Sequence, residues 1–93
     1  MAMVEVRPME VGVTCDAFTG RPRAVRIGPD EVRVVAVERI RDESAAYPAH
    51  EGPRTVFVVR TPRARLRIAF RHRDRRWLME AIDPIDQGLA AAA

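Results

Sequence analysis

Between Arg65 and Arg73 the chain sets Arg65, Arg67, Arg71 and Arg73 against Leu66, Ile68 and Phe70 in strict alternation. A period of two belongs to a strand, whose successive side chains point to opposite faces. The segment must therefore present one apolar face and one guanidinium face, and its partner strands must cover the first of these. All sixteen basic residues of the chain are arginine, and eight of them fall between Arg60 and Arg76. A GC-rich genome accounts for the choice of arginine over lysine but not for where the arginines stand.

The rest of the chain has the same character. Val11 and Val13 alternate with Gly12 and Thr14, and Ala24–Ile27, Val32–Ile40 and Thr55–Val59 are rich in β-branched residues. Val32–Ile40 is long enough to be one bent or bulged strand, and Trp77–Ile82 makes the last. Gly20-Arg21-Pro22, Gly28-Pro29-Asp30 and Thr61-Pro62-Arg63 are turn signals, and Ser44–Pro53 is the one longer loop. The pattern predicts an all-β domain: a small antiparallel five- to six-stranded partly open barrel, SH3-like, spanning residues 1–83. Asp83-Pro84 is expected to cap a short helical turn, with residues 84–93 a frayed tail.

Arg73-Asp74-Arg75-Arg76 should turn the chain between the last two strands. A loop of two residues or of four sets His72 opposite Trp77, Phe70 opposite Met79 and Ile68 opposite Ala81, all on the inner face. Ala69 then opposes Glu80 on the outer face, with Glu80 diagonal to Arg67 and Arg71. An odd loop would bury Glu80 against Ile68. The arginine face is thus expected to point outward.

Charge is unevenly spread. Residues 1–53 carry seven arginines and nine acidic residues, whereas residues 54–93 carry nine arginines and four. A basic C-terminal half suits an anionic partner, or attraction between the two halves. Arg65, Arg67, Arg71 and Arg73, flanked by Arg60, Arg63 and Arg76, are the candidate phosphate contacts. Alternate strand residues lie about 6.5–7 Å apart, close to the phosphate spacing of a nucleic-acid strand. Against that stands a bland reading in which Glu80, with Glu38 or Glu31, neutralises a solvated face. Aromatic residues are few; Phe57 and Phe70 belong to the core and Trp77 to the barrel end, leaving Phe18 and Tyr47 as candidates for stacking or partner contact.

Catalysis finds no footing. One cysteine and two distant histidines give no zinc spacing, and the five glycines form neither a P-loop nor a dinucleotide fingerprint. Cys15 is expected to be a small buried thiol, with no base placed to activate it. No catalytic residue, metal site or cofactor is expected. A lone cysteine excludes an intramolecular disulfide. Met1–Pro8 lacks the apolar region of a secretory signal, and aliphatic runs such as Val34–Val37 are far too short to span a bilayer. The expectation is a cytoplasmic binding module that contacts DNA, RNA or a protein, and no membrane.

Val11-Gly12-Val13-Thr14-Cys15-Asp16, Gly20-Arg21-Pro22-Arg23-Ala24-Val25-Arg26, Val32-Arg33-Val34-Val35-Ala36-Val37, and Trp77-Leu78 followed by Asp83 resemble a small uncharacterised actinobacterial β-domain family. The family occurs alone or at the C-terminus of Y-family-polymerase-like accessory proteins of mutagenic DNA repair. Where it tends to carry a tryptophan after the third segment, this chain has Ile40-Arg41-Asp42-Glu43-Ser44. The resemblance implies a compact β-barrel working as an accessory module near polymerases or repair complexes, with no catalytic residues to carry over. A protein-interaction adaptor, using an edge strand and the Tyr47-Pro48 loop while the arginines pair internally, is the alternative.

Overall fold

Leu66 and Ile68 lie at the centre of the molecule, and the sheet curls around the apolar face that they begin. The computed structural model describes residues 3–43 and 52–84. Seven strands, β1 (Val4–Cys15), β2 (Pro22–Ile27), β3 (Asp30–Arg33), β4 (Ala36–Glu43), β5 (Arg54–Arg60), β6 (Ala64–Arg71) and β7 (Arg76–Pro84), form one sheet. Their order is β3-β2-β1-β7-β6-β5-β4, and every pairing is antiparallel. The all-β class is therefore as expected, in a sheet that closes halfway to a barrel.

The strand count is seven instead of five or six. The extra strand comes from the Val32–Ile40 run, which breaks into β3 and β4 at Val34-Val35. These two residues carry the chain from one edge of the sheet to the other. Val34 N–H donates to the Arg23 carbonyl (2.8 Å), beside β3, and Val35 N–H donates to the Arg60 carbonyl (2.7 Å), beside β4. Two residues can bridge the two edges only because the right-handed twist of the sheet has brought those edges together. No glycine or proline marks the break, since curvature makes it and local sequence does not.

Inside the curl Val11, Val25, Phe57, Val59, Ala64, Leu66, Ile68 and Met79 form the core, with Val13, Ile27, Val32, Val34, Val37, Trp77 and Ile82 packed against them. Phe57, Phe70 and Trp77 stack at one end, with the Trp77 ring centroid 5.4 Å from Phe57 and 4.9 Å from Phe70. Aromatic pairs at such separations add packing energy beyond the area they bury.

The β6–β7 hairpin differs from expectation in register, though the arginines face outward. Its loop is His72–Arg75, so Phe70 opposes Trp77 and Ile68 opposes Met79. Glu80 is then an extra residue between Met79 and Ala81, a bulge that reverses the parity of β7. Ala81 consequently joins Arg67 on the outer face instead of meeting Ile68 within. Downstream, Ile82 returns to the core and Asp83 pairs with Arg65. Asp83 is a buried strand residue, not the cap of a helical turn. Cys15 is exposed, not buried: the pairing with β2 slips between Thr14 and Cys15 and takes the thiol off the core face. Partial desolvation still pushes that thiol's pKa up, away from nucleophilic character.

Candidate nucleic-acid interface

The outer face of β5, β6 and β7 is arginine set against arginine. Arg60 is in register with Arg65, Arg54 with Arg71, and Arg71 with Arg76. At the hairpin end, Arg54, Arg71 and Arg76 thus form one row across three strands. Neighbouring strands lie about 4.8 Å apart, and like charges directly opposite each other destabilise a sheet. Ala69 and Ala81, small residues on this face, are fully buried among longer side chains. Arginine stems supply such cover while their heads reach for partners.

Carboxylates relieve the row, and the backbone irregularities aim them. Glu38 is the extra residue of a bulge in β4, between Val37 and Arg39, and it lies between the opposed Arg60 and Arg65. Its Oε1 accepts from Arg65 Nε at 2.8 Å and its Oε2 is 3.7 Å from Arg60 Nε. Glu80, the extra residue of β7, pairs with Arg54 and lies 3.9 Å from Arg67 Nε. Glu5, where the β1–β7 pairing slips between Glu5 and Met9, takes both of its oxygens to Arg67 Nη2 at 2.6 and 2.7 Å. Each acid sits at or beside a place where a strand holds surplus residues, and bulges re-aim side chains in this way.

The result is a chain of alternating charge across five strands. It runs Arg41, Glu43, Arg54, Glu80, Arg67, Glu5, from β4 to β1. A second cluster joins Arg60, Glu38, Arg65 and Asp83. Hydrogen bonding to Glu38, more than to Asp83, raises the Arg65 pKa and fixes its charge.

The expected contact residues therefore fall into distinct settings. Arg65 and Arg67 are engaged in the ion-pair web. Arg60 and Arg63 lie at the far end of β6, where Arg63 is exposed. Arg71 holds Asp74 and keeps that carboxyl below the usual carboxylate range. Arg73 and Arg76 are exposed on or beside the hairpin loop, and Arg76 has Glu10 4.0 Å away. Tyr47 lies outside the described residues. Phe18 is exposed on the β1–β2 turn, away from the core rings.

Two further arginines stand at the hairpin end beyond those expected from the sequence. Arg54 precedes Thr55–Val59 with the parity of Val56, which places it outward. Arg75 is the last loop residue, with φ at 56°, a left-handed conformation that side-chain-bearing residues seldom adopt. Between Arg71 and Arg76 the hairpin end carries four guanidinium groups and one carboxylate.

Inside the mouth of the curl, Thr55 Oγ1 donates to Asp42 Oδ1 at 2.8 Å and meets His72 Nε2 at 2.8 Å. His72 in turn stands edge-on to Phe70, with ring centroids 5.0 Å apart. These contacts tie the β4, β5 and β6 ends together beneath the hairpin. At the other end, a cleft of about 450 Å³ separates the edge strand β3 from the Thr61–Arg63 turn, with Glu31, Arg33 and Arg63 in its walls. Among the described residues no group of three or more His, Cys, Asp or Glu could hold a metal ion, and no helix is long and apolar enough to cross a membrane. Compared with known proteins, the chain matches no family model, no curated protein and no solved structure.

Proposed function

We propose that the chain is a non-enzymatic nucleic-acid-binding module, an accessory of DNA repair or replication in the cytoplasm, whose phosphate contacts come from the hairpin end of the sheet. The observation that carries this reading is the gathering of exposed Arg73, Arg75 and Arg76 at the hairpin end, beside the row Arg54–Arg71–Arg76. A phosphate at this end would accept charge-assisted hydrogen bonds from these three exposed guanidinium groups. Arg65 and Arg67 do something else: with Glu5, Glu38, Glu80 and Asp83 they hold the outer face together. The frame is an SH3-like barrel in which β3 and β4 act as one strand broken at Val34-Val35.

The test is fluorescence anisotropy with labelled DNA and RNA, single- and double-stranded, from low to physiological salt. Changing Arg73, Arg75 and Arg76 together to Gln should lower affinity and flatten the log–log salt slope by about 0.7–0.9 for each phosphate that is no longer neutralised. Changing Arg65 and Arg67 to Gln should lower stability and leave that slope alone. Absence of saturable binding at low salt to all four probes would sink the reading.

The cleft beside β3 favours a second reading, a protein-interaction adaptor. An extended peptide could add to the free edge of β3 and fill the cleft against Thr61–Arg63. Such binding would depend little on salt and would fail when proline replaces Glu31 or Val32.

A further inference from the structure

Phe18 is 96% exposed, and the turn that carries it is braced by hydrogen bonds. Asp16 Oδ1 accepts from the backbone N–H groups of Phe18 (2.7 Å) and Thr19 (2.9 Å). Gly20 N–H donates to the Asp16 carbonyl at 2.9 Å, and Asp16 N–H donates to the Arg21 carbonyl at 2.8 Å. Thr19 Oγ1 accepts from Arg21 N–H at 3.2 Å. Gly20, at φ 75°, supplies the left-handed residue that closes the turn. With its backbone bonded in this way, the turn cannot refold to bury the ring without breaking several hydrogen bonds.

Exposing a phenylalanine in water forgoes about 1.5–3 kcal/mol of burial. Solitary exposed apolar residues are common on proteins, so exposure alone carries little. Phe18 differs in being displayed on a preorganised turn with cations beside it. Arg21 is exposed three residues after Phe18, and the Arg23 guanidinium lies close enough to Asp16 to help depress its carboxyl. Phe57, Phe70, Trp77 and His72 by contrast pack on one another. The turn also leaves the β1–β7 pair from the end where β7 begins, the end of the arginine hairpin.

A presented aromatic face with guanidinium groups close by in the same turn and the strand that follows it is what an unpaired base and its phosphates require. We infer that Phe18 is a stacking platform for a base of single-stranded nucleic acid, with Arg21 and Arg23 beside it for the adjoining phosphates. This rests on the nucleic-acid reading above and adds a strand preference to it. A duplex keeps its bases stacked on each other and offers Phe18 no face. Base stacking is tolerant of sequence, so the preference is for single strands as a class.

The experiment compares wild type, Phe18→Ala and Phe18→Trp in anisotropy titrations against labelled oligo(dT) fifteen nucleotides long and a fifteen-base-pair duplex. Far-ultraviolet dichroism checks each fold. Phe18→Ala should weaken oligo(dT) binding roughly 5- to 150-fold, with an unchanged salt slope and unchanged duplex binding. Phe18→Trp should bind oligo(dT) at least as well as wild type. If wild type binds oligo(dT) and Phe18→Ala binds it equally well, the stacking role is overturned and the hairpin reading stands. Equal losses on single strand and duplex would also overturn it, since they point to a general contact. If wild type binds neither probe at low salt, both readings fall together.

Discussion

Arg54 on β5 and Glu80 on β7 form an ion pair that crosses over the strand between them. Their side chains are only 20% and 12% exposed. The β6 residue beneath the crossing is Ala69, whose methyl leaves room that a longer side chain would occupy. Glu80 reaches so far because it is the surplus residue of the β7 bulge and points out with Ala81. The arginine row of β6 is thereby tied into the sheet by acids from both sides. A surface that composition marks as a cationic stripe is, over Arg65 and Arg67, close to neutral.

Removing one partner of this pair should cost more than an exposed ion pair would. Arg54→Ala strips a cation from both Glu43 and Glu80, neither of which is well solvated. The expected loss is about 2–3 kcal/mol, toward the lower end for partly buried pairs. That corresponds to a fall in Tm of roughly 10 °C or more for a domain of this size. Glu80→Gln should cost less, and the double variant less than the two single losses combined. Thermal denaturation of the four proteins measures the coupling; strict additivity would mean that the pair contributes nothing.

Ala69 offers a check that does not touch charge. It is fully buried on the outer face, between Val56 and Leu78 in register. Leucine there would press on the Arg54–Glu80 crossing and should destabilise by about 1–3 kcal/mol. Serine, nearly the same size, clears the crossing and should cost less than leucine, about 1 kcal/mol from burying its hydroxyl. Chemical denaturation midpoints separate the two, and a harmless Ala69→Leu would show that nothing crosses above it.

The apolar half of this arrangement is legible in the sequence and most of the polar half is not. Alternation of Leu66, Ile68 and Phe70 places β6, faces its arginines outward and identifies β7 as its hairpin partner. The β7 bulge leaves a faint trace: Trp77 and Met79 are two apart, but the next core residue, Ile82, is three further on. A strand that keeps one face buried can change spacing this way only by inserting a residue. Glu38 is foreseeable as a partner, while the Glu5–Arg67 contact joins residues 62 apart in the chain and has no local signature. The length of the Val32–Ile40 run suggests a bend, but nothing in it marks Val34-Val35, where the curled sheet imposes a full break. Asp83 reads as a cap because Asp-Pro commonly starts a helix, yet pairing with Arg65 holds it in the strand.

Arg75 should trade stability against binding. Its left-handed backbone costs a side-chain-bearing residue about 1 kcal/mol, a cost that glycine avoids at some expense in unfolded-state entropy. Arg75→Gly is expected to stabilise by roughly 0.5 kcal/mol while weakening nucleic-acid binding through loss of one cation. Denaturation and anisotropy on the same variant read the two effects, which should have opposite sign. A variant both less stable and unchanged in affinity would remove Arg75 from the contact surface.

Asp16 should make the β1–β2 turn sensitive to acid. Backbone N–H groups of Thr19 and then Phe18, with help from the Arg23 guanidinium, hold its carboxyl below the usual aspartate range. A group with a depressed folded pKa binds its proton more readily in the unfolded chain. Its stabilisation is therefore complete above the ordinary aspartate pKa and disappears as pH falls through the lower, folded value. Asp74, depressed by Arg71, contributes in the same direction and window. Asp16→Asn keeps an oxygen for the two N–H groups but carries no charge, so it should preserve the turn at neutral pH and flatten the acid limb of the stability curve. Asp16→Ala should loosen the turn at every pH and let Phe18 move. Carboxyl titration by NMR, together with urea denaturation from pH 7 to pH 2, tests both statements. An Asp16→Asn variant with the wild-type acid profile would assign the acid response to other carboxylates and leave Asp16 a purely neutral acceptor.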